Sequence, residues 1–332
     1  MAESKGVMVY AEASQDKLSA ITRELMGCAR KLADDLGEGL SAVLVGSDIT
    51  SLAQEAITLG ADRVYVAQDR LLKDYQTDAY VAVMGKLSQQ VTPRIIILGQ
   101  TAVGRDLAPR LAFRLETAAT LDCVELAIDA DSRRLLATRP VYGGNALATF
   151  TTESQPQIVT IRAKAFSPAE PDTSRQGEVT TIEAGLRPED IRTKLLERVT
   201  EEVEGIRLEE ASVVVAGGRG IGSAQGFKQL EELAKLLKGA LGASRPPCDN
   251  GWVSEHLQVG ITGKIIAPDL YIAVALSGSS QHLSGCSGAK NIVAINKDPE
   301  ANVFRVANLG IVADWKRVLP ALSEKVEELV SG

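Results

Sequence analysis

The chain has 332 residues, enough for two domains with separate cores. Its composition, 45% hydrophobic, 24% charged and only 4% aromatic, is that of a globular protein whose core is mostly Ala, Val, Leu and Ile. A net charge of −7 with no dense Lys/Arg run argues against nucleic acid as a partner and against adhesion to anionic lipid.

The longest apolar stretches, such as Leu270–Leu276, are too short for direct membrane insertion. The opening Met1–Lys5 has the character of neither a secretory signal nor a transit peptide, so a cytoplasmic location is expected. Cys28, Cys123, Cys248 and Cys286 form no C-x-x-C pair, and His256 and His282 are the only histidines. Both facts argue against iron–sulfur, structural zinc and His-based metal sites, and for reduced, buried thiols.

Through residue ~165 short apolar runs alternate with helical patterns, as in a layered α/β domain. Val7–Ala11 reads as a strand. Leu18, Ile21, Leu25, Ala29, Leu32 and Leu36 then mark a helix that Gly37 ends. Strands are expected at Ser41–Val45, Arg63–Ala67 and Arg94–Leu98, separated by helices over Ser51–Leu59 and about Asp78–Gln90. After the third of these comes Gly99-Gln100-Thr101-Ala102-Val103-Gly104-Arg105-Asp106, which reads either as a ligand-binding strand end or as a tight turn capping the next helix. Strand-like pieces at Cys123–Ile128, Leu135–Arg139, Ala146–Thr151 and Gln157–Arg162 lack intervening helices and suggest an antiparallel extension of the sheet. The Pro- and Ser-rich segment Ser167–Gly177 reads as a linker, and Val179–Glu209 as charged and mixed.

A second α/β domain starts near Ser212, with strands at Val213–Ala216, Leu270–Leu276, Asn291–Ile295 and Ile311–Val312. Its last helix, about Trp315–Val330, aligns Val318, Leu319, Leu322, Val326 and Leu329 on one face. The first strand runs into Gly217-Gly218-Arg219-Gly220-Ile221-Gly222-Ser223 and then a helix. Glycines there admit a pyrophosphate to the backbone, and Arg219 offers a bidentate cation. The NAD fingerprint is not met: Ser223 stands where its third glycine belongs, and Lys238-Gly239-Ala240 where a ribose-binding carboxylate is expected. Gly242–Pro247, Gln258–Lys264 and Ser277–Gly285 add hydroxyls, Arg245 and His282 at further strand ends. Each alone reads equally as a polar loop, and His282 as a structurally bonded histidine; together they suit a flat, electron-rich ligand with a pyrophosphate tail. Trp252 and Trp315 read as packing residues, with adenine contact open for Trp315.

The run Leu270–Ala273, Ser277-Gly278, Gln281-His282, Gly285 and Ile292–Asn296 closely resembles the signature of electron-transfer flavoprotein alpha subunits, extending through Lys297–Ala301 and Gly310–Asp314. Gly217–Gly220, Gly242–Arg245 and Gln258–Lys264 belong to the same match, which covers the second domain almost end to end. Gly104–Leu107 and Arg139-Pro140…Gly143-Gly144-Asn145 match more loosely in the first. Ala275, Leu276 and Ser280 depart from the signature, and Ile261 stands where many members have Gln. The resemblance implies two layered α/β domains: residues 1–205, of nucleotide-hydrolase-like layer fold, and residues 206–332, a parallel-sheet dinucleotide (FAD)-binding domain. It implies that Arg219, Ser277, Gly278, Ser279, Ser280 and Gln281 hold the FAD diphosphate and ribityl region. Asn296, Asp314 and Trp315 would lie around the adenosine half. Ser244, Arg245, Val259, Gly260, Ile261, Thr262 and His282 would surround the isoalloxazine ring, where a fixed Arg and His stabilise negative charge near N1 and O2.

The family further implies a heterodimer with an electron-transfer flavoprotein beta subunit, which often binds AMP or a second FAD. Electrons would arrive from an acyl-CoA or related dehydrogenase, as in fatty acid beta-oxidation, and leave to a quinone oxidoreductase or other acceptor. In bifurcating members NADH and ferredoxin join the cycle. The chain would then be an electron carrier rather than a stand-alone enzyme. The alternatives are a pyridine-nucleotide-dependent oxidoreductase, against which the broken glycine fingerprint counts, and an adenine-nucleotide-binding scaffold protein built on the first domain.

Overall fold

The computed structural model describes residues 4–14, 16–144, 146–197 and 206–331. The chain divides into two compact units, Met1–Val141 with Leu147–Val199, and Tyr142–Ala146 with Thr200–Gly332. Both are layered α/β structures with parallel sheets.

The first unit opens with β1 (Val7–Tyr10), the short hairpin β2 (Ala13–Ser14) and β3 (Lys17–Leu18), and helix α1 (Ala20–Leu36). There follow β4 (Leu40–Gly46), α2 (Ala53–Thr58), β5 (Arg63–Gln68), α3 (Thr77–Val91), β6 (Ile95–Gly99) and α4 (Ala102–Arg114). Strands β7 (Ala119–Cys123), β8 (Glu125–Ile128), β9 (Leu135–Val141), β10 (Ala146–Phe150), β11 (Gln157–Ile161) and β12 (Glu178–Ile182) complete it. Seven strands make one sheet in the order β12-β5-β4-β1-β6-β11-β7, every neighbour parallel. Side chains of β1 and β6 alternate between its two faces. Val7, Val9, Ile95 and Ile97 enter one core cluster, and Met8, Tyr10, Ile96 and Leu98 the other. Burial on both faces is why these strands read as continuous apolar runs.

Two expectations are corrected here. The antiparallel extension does not exist as such: β11 inserts parallel between β6 and β7, and β8, β9 and β10 form a separate three-stranded sheet with β8 antiparallel to β9. The segment Ser167–Gly177 lies along the first unit's own helices, Ala169 N–H donating to the Arg23 carbonyl (2.8 Å) and Asp172 N–H to that of Thr58 (2.8 Å). It leads into β12, an edge strand that pairs with β5 from within the segment read as charged and mixed.

The second unit holds β13 (Val213–Gly217), α5 (Ala224–Leu236), β14 (Ala240–Ala243), α6 (Arg245–Asp249), β15 (Leu270–Val274), α7 (Ser280–Cys286), β16 (Asn291–Asn296), β17 (Leu309–Val312) and α8 (Trp315–Ser331). Its all-parallel sheet has the order β14-β13-β15-β16-β17. From β13 the chain goes first to one side, β14, and then crosses to β15 on the other. The carboxyl ends of β13 and β15 therefore flank a topological switch point, where open α/β sheets form a crevice. All four cysteines are buried free thiols. Among the described residues no helix is long and apolar enough to cross a membrane.

Candidate functional site

The loops leaving β13 and β15 touch backbone to backbone. Gly218 N–H donates to the Val274 carbonyl (2.9 Å), and a Cβ on Gly218 would stand 2.2 Å from the Ala275 oxygen. Ala275 itself is in the left-handed region at φ 51°. The loop after β15 is pinned in turn from the far side: Gly278 has φ 78°, and a Cβ there would lie 2.2 Å from the Val303 nitrogen. Glycine is required at both positions because the backbones leave no room for any side chain. Arg219 projects exposed from this cradle, with no ion pair to a described residue. Ser223 closes the turn by capping α5 through Gly226 N–H (3.3 Å).

Three more strand ends border the same edge of the sheet. Asn296, at the end of β16, donates its Nδ2 to the Leu276 carbonyl (2.7 Å) and so fixes the β15 loop. Asp314 follows β17 and accepts from Lys316 N–H (3.0 Å), starting α8. Trp315 is buried in the core, with its indole N–H donating to the Gly220 carbonyl (3.2 Å). Gly220, Asn296, Asp314 and Trp315 line a cleft of about 220 Å³. On the other side, β14 ends in Ser244, whose N–H donates to the Gly217 carbonyl (3.0 Å) and which is nearly buried. Arg245 then opens α6, exposed and paired to Asp249 one turn on (Nε–Oδ2 3.3 Å).

The segment Val259–Thr262 is joined to both β14 and α7. Val259 N–H donates to the Ala243 carbonyl (2.8 Å), and Ile261 N–H to that of Gln281 (2.9 Å). Gly260 passes so close that a Cβ would be 3.0 Å from the Gln281 oxygen. The Ile261 side chain is half exposed, and the Thr262 hydroxyl accepts from Gln258 Nε2 (2.9 Å). Ser277, Ser279, Ser280 and Gln281 are exposed at the start of α7, where the Ser280 hydroxyl donates to Gln281 Oε1 (3.3 Å).

His282 stands apart from this exposed set. Its ring is only 5% exposed, between the Tyr271 hydroxyl (Nε2, 2.7 Å) and the Val259 carbonyl (Nδ1, 3.0 Å). Burial pushes the imidazole down to about 4, against the small upward pull of the Val259 carbonyl. The ring is thus held internally, the arrangement of a structurally bonded histidine.

The polar groups read from the sequence thus gather at the carboxyl edge of one parallel sheet, with exposed guanidiniums past the ends of β13 and β14. The chain matches the family model of the electron transfer flavoprotein domain over residues 7–186 and that of the electron transfer flavoprotein FAD-binding domain over residues 207–287. It is 43% identical over 330 residues to the electron transfer flavoprotein subunit alpha of Thermoanaerobacterium thermosaccharolyticum, covering 99% of this chain and 100% of the relative. The chain belongs to the electron-transfer flavoprotein alpha-subunit family. The Megasphaera elsdenii alpha subunit is 43% identical over 331 residues (99% of this chain, 98% of the relative). The protein FixB of Clostridium saccharobutylicum is 41% identical over 333 residues (100% and 99%).

Within the family's FAD-binding domain, the donor set suits a dinucleotide. Gly218 and Gly278 let the loops after β13 and β15 pack tightly at this edge, two arginines are exposed, and hydroxyls and amides line the strand ends. Asp249 and Tyr271 were not singled out from the sequence. The i,i+4 spacing of Arg245 and Asp249 was the available signal, masked by the Pro246-Pro247 pair that read as a loop yet is well accommodated in a helix's first turn. Tyr271 looked like any other residue of an apolar strand.

Proposed function

We propose that this chain is the FAD-carrying alpha subunit of a heterodimeric electron-transfer flavoprotein. It would receive electrons from a flavoprotein dehydrogenase, such as one acting on acyl-CoA, and deliver them to a quinone-linked or other acceptor. Residues 206–332 form its FAD-binding domain and residues 1–205 its supporting layer. The observation that carries the reading is the convergence of the β13 and β15 loops on a switch point, with Arg219 exposed beside it.

Bound FAD supplies the one- and two-electron chemistry. In this reading the chain's residues bind and bias it. Arg219 and the Ser277–Gln281 segment grip the diphosphate and ribityl chain. The cleft by Asn296, Asp314 and Trp315 takes the adenosine half. Ser244, Arg245 and the Val259–Thr262 turn border the ring. Arg245 would favour the reduced, negatively charged flavin over the neutral oxidised one, and Asp249 offsets part of that field.

The test is to purify the chain with its beta subunit and titrate it potentiometrically. A flavin absorbance spectrum is expected, and Arg245→Ala should lower the midpoint by roughly 50–150 mV. That is below the ~180 mV of a bare charge pair at ~4 Å and an effective dielectric of ~20, because water and Asp249 screen it. A complex without flavin overturns the function. An unchanged midpoint with flavin bound removes Arg245 from the ring's neighbourhood.

A further inference from the structure

The turn at residues 258–264 and helix α7 are fastened into one body. Ile261 N–H donates to the Gln281 carbonyl (2.9 Å), and Ile266 N–H to that of Gly285 (2.7 Å). A Cβ on Gly285 would come within 2.3 Å of the Gly260 nitrogen, so the two backbones are in direct contact. Between them, at 5% exposure, sits the His282 ring. Its Nδ1 lies 3.0 Å from the Val259 carbonyl. A carbonyl oxygen can only accept, so Nδ1 carries the proton. Its Nε2 lies 2.7 Å from the hydroxyl of Tyr271, a residue of β15 that is 1% exposed. In a neutral imidazole that nitrogen is a bare lone pair, so the phenol must donate to it. Burial also drives the phenol's own ionisation far up, which keeps its proton in place. The Cys286 thiol neighbours both partners, lying against the Tyr271 hydroxyl and 3.8 Å from the His282 carbonyl, and burial holds that thiol protonated with its ionisation at about 12.

We infer that Tyr271 is a positioning residue: its hydroxyl locks His282 as a neutral, Nδ1-protonated imidazole, and the locked ring fixes the Val259–Thr262 turn against α7. The inference rests on the proposed function only in assigning that turn to the flavin side of the site. The ring therefore contributes shape and rigidity rather than positive charge. A structural role for Tyr271 in packing alone would not dictate which imidazole nitrogen carries hydrogen.

The chain has two histidines, so its imidazoles can be assigned by a single substitution, His256→Gln, in 15N-histidine-labelled protein carrying its partner subunit. His282 is expected to show a protonated Nδ1 and a bare Nε2, both constant from pH 5.5 to 8. Tyr271→Phe removes only the hydroxyl. It should move the Nε2 resonance to the position of an unbonded nitrogen and speed flavin release about fivefold, the effect of one neutral hydrogen bond. His282→Asn, which keeps a donor towards Val259, should hold flavin better than His282→Leu. Titration of His282 between pH 5.5 and 8, an Nε2-protonated tautomer, or ring resonances unchanged in Tyr271→Phe would each overturn the inference. Protein that holds no flavin but shows the expected tautomer refutes the function and leaves the Tyr271–His282 lock standing.

Discussion

In the first unit the carboxyl ends of β1 and β6 meet at a switch point over Glu12, Gln100 and Thr101; in the second, those of β13 and β15 meet over Gly218, Ala275 and Gly278. The first meeting place is filled by the chain's own groups. Thr101 Oγ1 donates to Glu12 Oε1 (2.7 Å) while capping α4 through Gly104 N–H (3.0 Å), and the Thr160 hydroxyl bonds Gln100. A carboxyl group of the protein thus stands near the helix terminus where an external anion would be favoured. The second has glycines at the contacts and leaves an arginine exposed. The same topology can be self-saturated or open to a ligand, and the side chains of a few loop residues decide which.

The largest effect should come from crowding the tight loop contact at Gly278. Gly278→Ala forces a Cβ against the Val303 backbone at a left-handed position, which costs about 2–4 kcal/mol from overpacking and strain together. Gly222→Ala is the control: its φ is 88°, but nothing lies within 4 Å. Urea denaturation of both should show the Gly278 variant clearly the weaker; equal losses would mean that the loop contact is not tight.

Next comes the contrast between the two arginines that follow the glycines. Arg219→Ala should weaken flavin retention by roughly 10- to 150-fold, the value of a charge-assisted hydrogen bond of ~1.5–3 kcal/mol, while Arg105→Ala leaves it nearly intact. Flavin release measured by fluorescence decides, and the reverse pattern would move the ligand to the first unit.

A third contrast belongs to the self-filled crevice. Burial pushes the Glu12 carboxyl up to about 7, against the lowering by its Thr101 bond, and burial likewise raises Glu24 to about 7. The folded chain therefore keeps these protons in the range where the unfolded chain has released them. Stability from both groups falls as pH rises from about 4.5 to 7 and is level above that. Glu12→Gln should gain on wild type at pH 8 relative to pH 5, with flavin retention untouched. A difference between the two proteins that is the same at both pH values would show that Glu12 ionises normally.

How legible this was in the sequence depended on local chemistry. The central strands of both sheets, Val7–Tyr10, Ile95–Gly99, Val213–Gly217 and Leu270–Val274, announced themselves because both faces are buried. The edge strands did not. β12 is largely exposed and polar and merges into a segment that reads as charged and mixed, and β14, Ala-Leu-Gly-Ala, has no β-branched residue and does not read as a strand. That β11 threads between β6 and β7 is a fact of topology that no local pattern carries. Among the site residues, the glycine–arginine turn and the serine loop were readable as motifs. The buried orientation of His282 was not, since it depends on Tyr271, eleven residues away on another element.

The indole of Trp315 ties the last helix to the Gly220 carbonyl, with the Lys316 ammonium 5.9 Å from its ring centre. The turn that opens with Arg219 is therefore wired to one of only two tryptophans in the chain. The protein carries an optical gauge of its own, since any shift of that turn alters the polarity felt by a buried indole and changes the colour of its emission.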